Sequence, residues 1–83
     1  MLEMKWQRRI GEYVADTYFD SSGGDTTIVR WRLYRPLTGY WAIGLTIGES
    51  GGHLPVAGHY ESFAEAKERA KSAAIALGHR LKP

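Results

Sequence analysis

Apolar residues recur at every second position through much of residues 12–47, and after Ser62 they recur at every third or fourth. A period of two belongs to a strand with one buried face. A period near 3.6 belongs to a helix with one buried stripe. The order of the two patterns constrains the fold further. Strands come first as a block and one helix follows, without the alternation of strand and helix that builds parallel sheets. The expected class is α+β: an antiparallel sheet of three or four strands with one C-terminal helix packed on one face.

"EYVADTYFD" (12–20) is rich in β-branched and aromatic groups and reads as a strand. Tyr13, Ala15 and Phe19 share one of its faces, and Val14, Asp16 and Tyr18 the other. "SSGGD" (21–25) is a turn of residues that tolerate positive φ or bond their own backbone. The next strand spans 26–35, with Val29, Trp31 and Leu33 pointing one way and Ile28, Arg30, Arg32 and Tyr34 the other. Pro36 ends it, because proline donates nothing to a ladder, and "PLTG" makes a tight connection. "YWAIGLTIG" (40–48) sets Trp41, Ile43, Leu45 and Ile47 against Tyr40, Ala42, Gly44 and Thr46. "GESGGH" turns again. "LPVAGHY" (54–60) is a short last strand, in which Pro55 marks an edge or a late start. Residues 1–11 are polar and weakly patterned, and read either as a loose arm or as an edge strand.

The helix begins at a capping box, with Ser62 as the cap and Glu65 three residues on. Phe63, Ala66, Ala70, Ala73, Ala74 and Leu77 form its apolar stripe. The stripe is mostly alanine, so the helix lies close to the sheet, with Trp31 and Trp41 supplying bulk beneath it. Glu65 precedes Arg69 by four residues, which suits an exposed face. Gly78 is expected to stop the helix in a left-handed turn, leaving 79–83 as a frayed basic tail.

At 83 residues the chain is expected to be one domain, 1–83, with one modest core. The absence of cysteine excludes disulfides, thiol nucleophiles and cysteine zinc sites, and fits a reducing compartment. No apolar run approaches the ~18 residues of a membrane span, and "MLEMKWQRR" lacks the apolar stretch of a signal peptide. The expectation is a cytoplasmic protein without a membrane partner.

Catalytic patterns are weak. "GESGG" (48–52) satisfies G-x-S-x-G, but a nucleophile elbow needs a helix after the turn, and a strand follows here. His53, His59 and His79 match no compact metal motif and read as surface histidines. Asp16, Asp20, Asp25 and Glu49 lie mostly in or near turns, whereas acid–base work needs a fixed pair in a cleft. No enzyme activity, cofactor, metal or small-molecule substrate is expected.

One helix covers one face of a sheet. The uncovered face carries Arg30, Arg32, Tyr34 and Tyr40, next to Arg35. Arginine donates two parallel hydrogen bonds to phosphate or guanine, and sheets can lie in a groove or stack bases. Arg30, Arg32, Tyr34, Arg35 and Tyr40 are therefore candidate DNA- or RNA-binding residues, helped by Arg8, Arg9 and the tail. The net charge of +2 does not argue this by itself. Two other readings stand beside it. The face is a plain wet surface, with Asp16 pairing one arginine, or it serves a protein partner. That partner includes a second copy, joined through an edge strand or through the aromatic open face.

Residues 34–78 resemble the ethylene-response-factor (Apetala-two) DNA-binding domain, and more loosely the integrase arm-binding domains. "YR" (34–35) is similar to the opening of that family's first strand, "GYWAIGL" (39–45) to its G-K-W-x-A-E-I strand, and "AGHYESFAEAKERAKSAAIALG" (57–78) to its final strand and helix. That family lays its sheet in the DNA major groove, and the resemblance carries this role to Arg35 and Trp41. The chain departs from the pattern where the family's arginine-rich turn is "PLT", its lysine is Tyr40 and its glutamate is Gly44. Trp41 also lies on the face that alternation gives to the core. The helix phrase itself occurs in small bacterial and phage proteins of many kinds.

Overall fold

The computed structural model describes residues 3–20, 23–36, 39–48 and 51–81. Its elements are β1 (Gln7–Arg9), β2 (Glu12–Asp20), β3 (Thr26–Tyr34), β4 (Trp41–Ile47), β5 (His53–Tyr60) and α1 (Phe63–Leu81). The strands form one antiparallel meander in sequence order, and α1 lies across one face. The α+β class and the single C-terminal helix agree with the sequence reading.

The strand count differs. The described residues form five strands rather than three or four, because residues within 1–11 supply β1, an edge strand. All three of its residues are exposed, so no alternation betrays it. The chain before it is anchored as well: Met4 and Trp6 pack against the core. At the other boundaries β3 ends at Tyr34 rather than Arg35, and β5 starts at His53.

Alternation dictates the core. Val29, Trp31, Leu33 and Ile43 have at most 1% of their surface exposed, and they meet Ala66, Ala70 and Ala74 of α1. Burial of each large side chain stabilises the fold by about 1.5–3 kcal/mol. Small residues on the helix and large ones on the sheet let the two layers approach closely. Trp31 is the centre of this arrangement. Its indole N–H donates to Thr17 Oγ1 at 2.9 Å, and the Thr17 hydroxyl in turn donates to the Val29 carbonyl at 3.3 Å. A polar chain thus satisfies two buried groups that would otherwise destabilise the core. Trp41 sits on the same side, against Phe63 and Tyr13 with ring centroids 5.1 and 6.1 Å away.

The cap at Ser62 forms as expected: the Glu65 N–H donates to Ser62 Oγ at 3.1 Å. The Glu65 carboxylate accepts from the N–H of Glu61. Gly78 does not stop the helix, which continues to Leu81. Its φ is not positive. A Cβ there would stand 2.9 Å from Phe19 Cε1, so the glycine marks a close approach of α1 to the end of β2. The helix thus takes in residues 79–81 of the expected tail, and Lys82 and Pro83 lie outside the described residues. So do Ser21, Ser22, Leu37, Thr38, Glu49 and Ser50, within the expected turns.

Candidate functional site

Cross-strand partners in an antiparallel sheet share a face, so the register defines the surface that α1 leaves open. Four rows cross it. Arg9, Glu12, Tyr34 and Ala42 form one row; Gln7, Val14, Arg32, Gly44 and Pro55 form the next. Asp16, Arg30, Thr46 and His53 form the third, followed by the pair Tyr18 and Ile28. Asp20 and Thr26 close the far end, where the Thr26 hydroxyl donates to Asp20 Oδ1 at 2.8 Å.

Arg30, Arg32 and Tyr34 therefore share one strand and one face, as their spacing predicts. The two arginines differ in commitment. Arg30 is held by both oxygens of Asp16, Nε to Oδ1 at 2.9 Å and Nη2 to Oδ2 at 3.2 Å. The expected pairing of Asp16 with an arginine is thus present. The Arg30 hydrogen bonds hold the Asp16 carboxyl below its ordinary pKa, partial burial works against this, and the charges of Arg30 and Arg9 add to the lowering. Arg30 is pushed upward by the same bonds and charge. Arg32 is held loosely, with Nη1 3.7 Å from Glu12 Oε1 and its buried Nε without a partner.

Arg35 and Tyr40 do not join this cluster. Arg35 donates Nε and Nη2 to the Gly39 carbonyl at 3.2 and 2.9 Å, and its guanidinium lies over the Trp41 ring at 5.9 Å. It ties the β3–β4 connection together on the helix side. Tyr40 is 47% exposed and stands beside His59, with centroids 6.1 Å apart, where β5 bulges at Gly58.

Two features of the face go beyond the sequence reading. Gly44 seats the His53 ring, which occupies the space a Cβ would need, and His53 also approaches Tyr34 with centroids 6.1 Å apart. The absence of a side chain at Gly44 is legible in the sequence, but what fills the gap depends on the β4–β5 register. The second feature is electrical. Arg9, Arg30 and Arg32 on this face are matched by Glu12, Asp16 and Asp20. Glu12 is the acid that alternation alone could have placed there.

No metal-like convergence of three or more histidine, aspartate or glutamate side chains occurs among the described residues. His53, His59 and His79 are each exposed; the first two stand near opposite ends of β5 and the third lies on α1. "GESGG" joins β4 to β5, so a strand follows it rather than a helix. Among the described residues no helix is long and apolar enough to cross a membrane. No family model, curated protein or solved structure matches this chain.

Proposed function

We propose that the chain is a non-enzymatic interaction domain whose open sheet face docks against a protein partner. One observation carries this reading. The face is charge-balanced, with Arg30 fixed on Asp16, and it still exposes Tyr18 at 62% and Ile28 at 39%. Tyrosine, arginine and scattered apolar groups are the composition of a protein-docking patch. A polyanion instead needs an excess of positive charge, because neutralising phosphates supplies most of its affinity.

A nucleic-acid partner is the second reading. Arg32 favours it, since its loose contact with Glu12 leaves donors that a phosphate could take.

A photo-cross-linking amino acid placed at Tyr18 tests both readings in the cells that make the protein. A matching probe at Ser72, on the exposed side of α1, serves as the control. A discrete protein adduct from position 18 and none from position 72 is expected. Adducts to nucleic acid from position 18 would replace the first reading with the second. Equal labelling from both positions would remove the open face as a site.

A further inference from the structure

We infer that the partner for the open face is a second copy of this chain, stacked face to face about a two-fold axis that runs parallel to the strands between β2 and β3. The inference rests on the protein-docking reading above and identifies the occupant.

A two-fold interface must be self-complementary. This face meets that condition for one placement of the axis. An axis along the strands, midway between β2 and β3, exchanges these strands at constant height. Each β2 residue then lies over the residue of the other copy that already faces it within its own hairpin. Asp16 meets Arg30 of the partner subunit, and Arg30 meets the partner's Asp16. The four charges alternate around a square, so each has two neighbours of opposite sign and none is left unpaired on desolvation. One row along, Tyr18 and Ile28 meet their counterparts and form an apolar quartet.

The same axis places β1 over β4 of the other copy. β1 carries the long side chains Gln7 and Arg9 on this face, whereas β4 carries Ala42 and Gly44 at the corresponding heights. Arg9 therefore meets the short Ala42, and Gln7 meets the His53 ring that lies over Gly44. An axis across the strands at the height of Asp16 instead sets β2 on β2 and brings Asp16 against Asp16 and Glu12 against Asp20.

The face is small. β2 and β3 have nine residues each, β4 seven and β1 three, so at ~4.8 Å between strands and ~3.4 Å per residue it projects about 450 Å². Side-chain relief raises its accessible surface above that projection, towards the ~800 Å² per partner of a standard interface. Sheets stacked in this way align within about 30°, so the rows nearest the axis stay matched.

Sedimentation equilibrium of the purified protein, from micromolar to millimolar concentration, tests the inference. A reversible monomer–dimer equilibrium is expected. Arg30→Asp alone and Asp16→Arg alone should each weaken it at least tenfold, because each puts four like charges at the axis. An equimolar mixture of the two variants should restore association, since acids of one then meet arginines of the other. Circular dichroism melts establish that both variants are folded. Ile28→Lys, at an exposed position, is a further variant that should weaken association without touching the ion pair. A wild-type protein monomeric at millimolar concentration overturns the inference. So does a dimer whose mass ignores all these substitutions, which would be an edge-to-edge dimer. So does a folded pair of charge variants that stays monomeric when mixed. If the purified protein is monomeric while position 18 cross-links to a different protein in cells, the second copy is excluded and the docking reading stands. If no protein adduct forms either, both fall.

Discussion

Two hydrogen bonds from Arg30 hold the Asp16 carboxylate, and they fix how the protein answers acid. The folded-state pKa of Asp16 lies below the ordinary 3.8. A carboxylate with a depressed pKa adds stability that is fully present above the unfolded value and is lost as pH falls through the folded one. The thermal midpoint should therefore drop below about pH 4. Asp16→Asn should flatten that acid limb and lower the midpoint near neutral pH, where the ion pair is intact. Melting curves from neutral to strongly acidic pH measure both effects, and parallel acid limbs in the two proteins would show that Asp16 does not set them. Thr17 presents the buried counterpart. Thr17→Val keeps the shape but removes the acceptor for the Trp31 indole N–H. Stranding a buried donor costs about 1–3 kcal/mol, so denaturant melts should register a loss of that order. A neutral substitution would mean the indole finds another acceptor.

Gly78 shows how one residue type can belong to different structures. After a long apolar stripe, a glycine is the ordinary signal for a helix end, and nothing local contradicts it. Here the neighbour that decides is Phe19, nearly sixty positions earlier in the chain, which no local pattern can place. The two roles predict opposite outcomes. A left-handed cap would make Gly78→Ala destabilising. In a continuous helix, alanine adds up to about 1 kcal/mol in propensity, while the Phe19 ring tip must shift slightly. Gly78→Ala should thus be neutral or mildly stabilising, and Gly78→Val should destabilise by about 1–3 kcal/mol through overpacking. The same logic explains what was legible. β3 carries a clean alternation and β4 an apolar one, while that of β2 is imperfect, with Val14 buried on the open face; even so, their faces and the Asp16–Arg30 pair follow from the sequence. β1 buries nothing, and only its pairing to Glu12–Val14 defines it. Arg35 and Tyr40 look like neighbours of Arg32 and Tyr34 in the sequence. The turn bond to Gly39 and the β5 bulge draw them away.

Across the molecule, the arginines of the open face are matched by carboxylates on β2, and this arrangement bears on which partners can bind. If pairing is what withholds the arginines from a polyanion, removing the acids should release them. In Glu12→Gln combined with Asp16→Asn, both β3 arginines keep their positions on the strand and lose their counter-charges. Each additional phosphate neutralised steepens the dependence of log affinity on log salt by about 0.9 for duplex DNA. The double variant should therefore bind mixed-sequence duplex DNA more tightly than the wild type, with a slope steeper by about 2 if both arginines engage. Fluorescence anisotropy at two salt concentrations, with amide shifts to locate the bound surface, reads both quantities. Equal, weak binding by the two proteins would mean that the shape of the face, and not its paired acids, keeps DNA away. Tight, salt-dependent binding by the wild type through residues 28–46 would mean that the carboxylates are displaced by phosphate, and the face would then belong to nucleic acid. The balance between Arg30–Asp16 and Arg32–Glu12 decides between these cases. The first pair is bidentate and short while the second is loose, so Asp16 is the acid whose removal should matter more for what can bind.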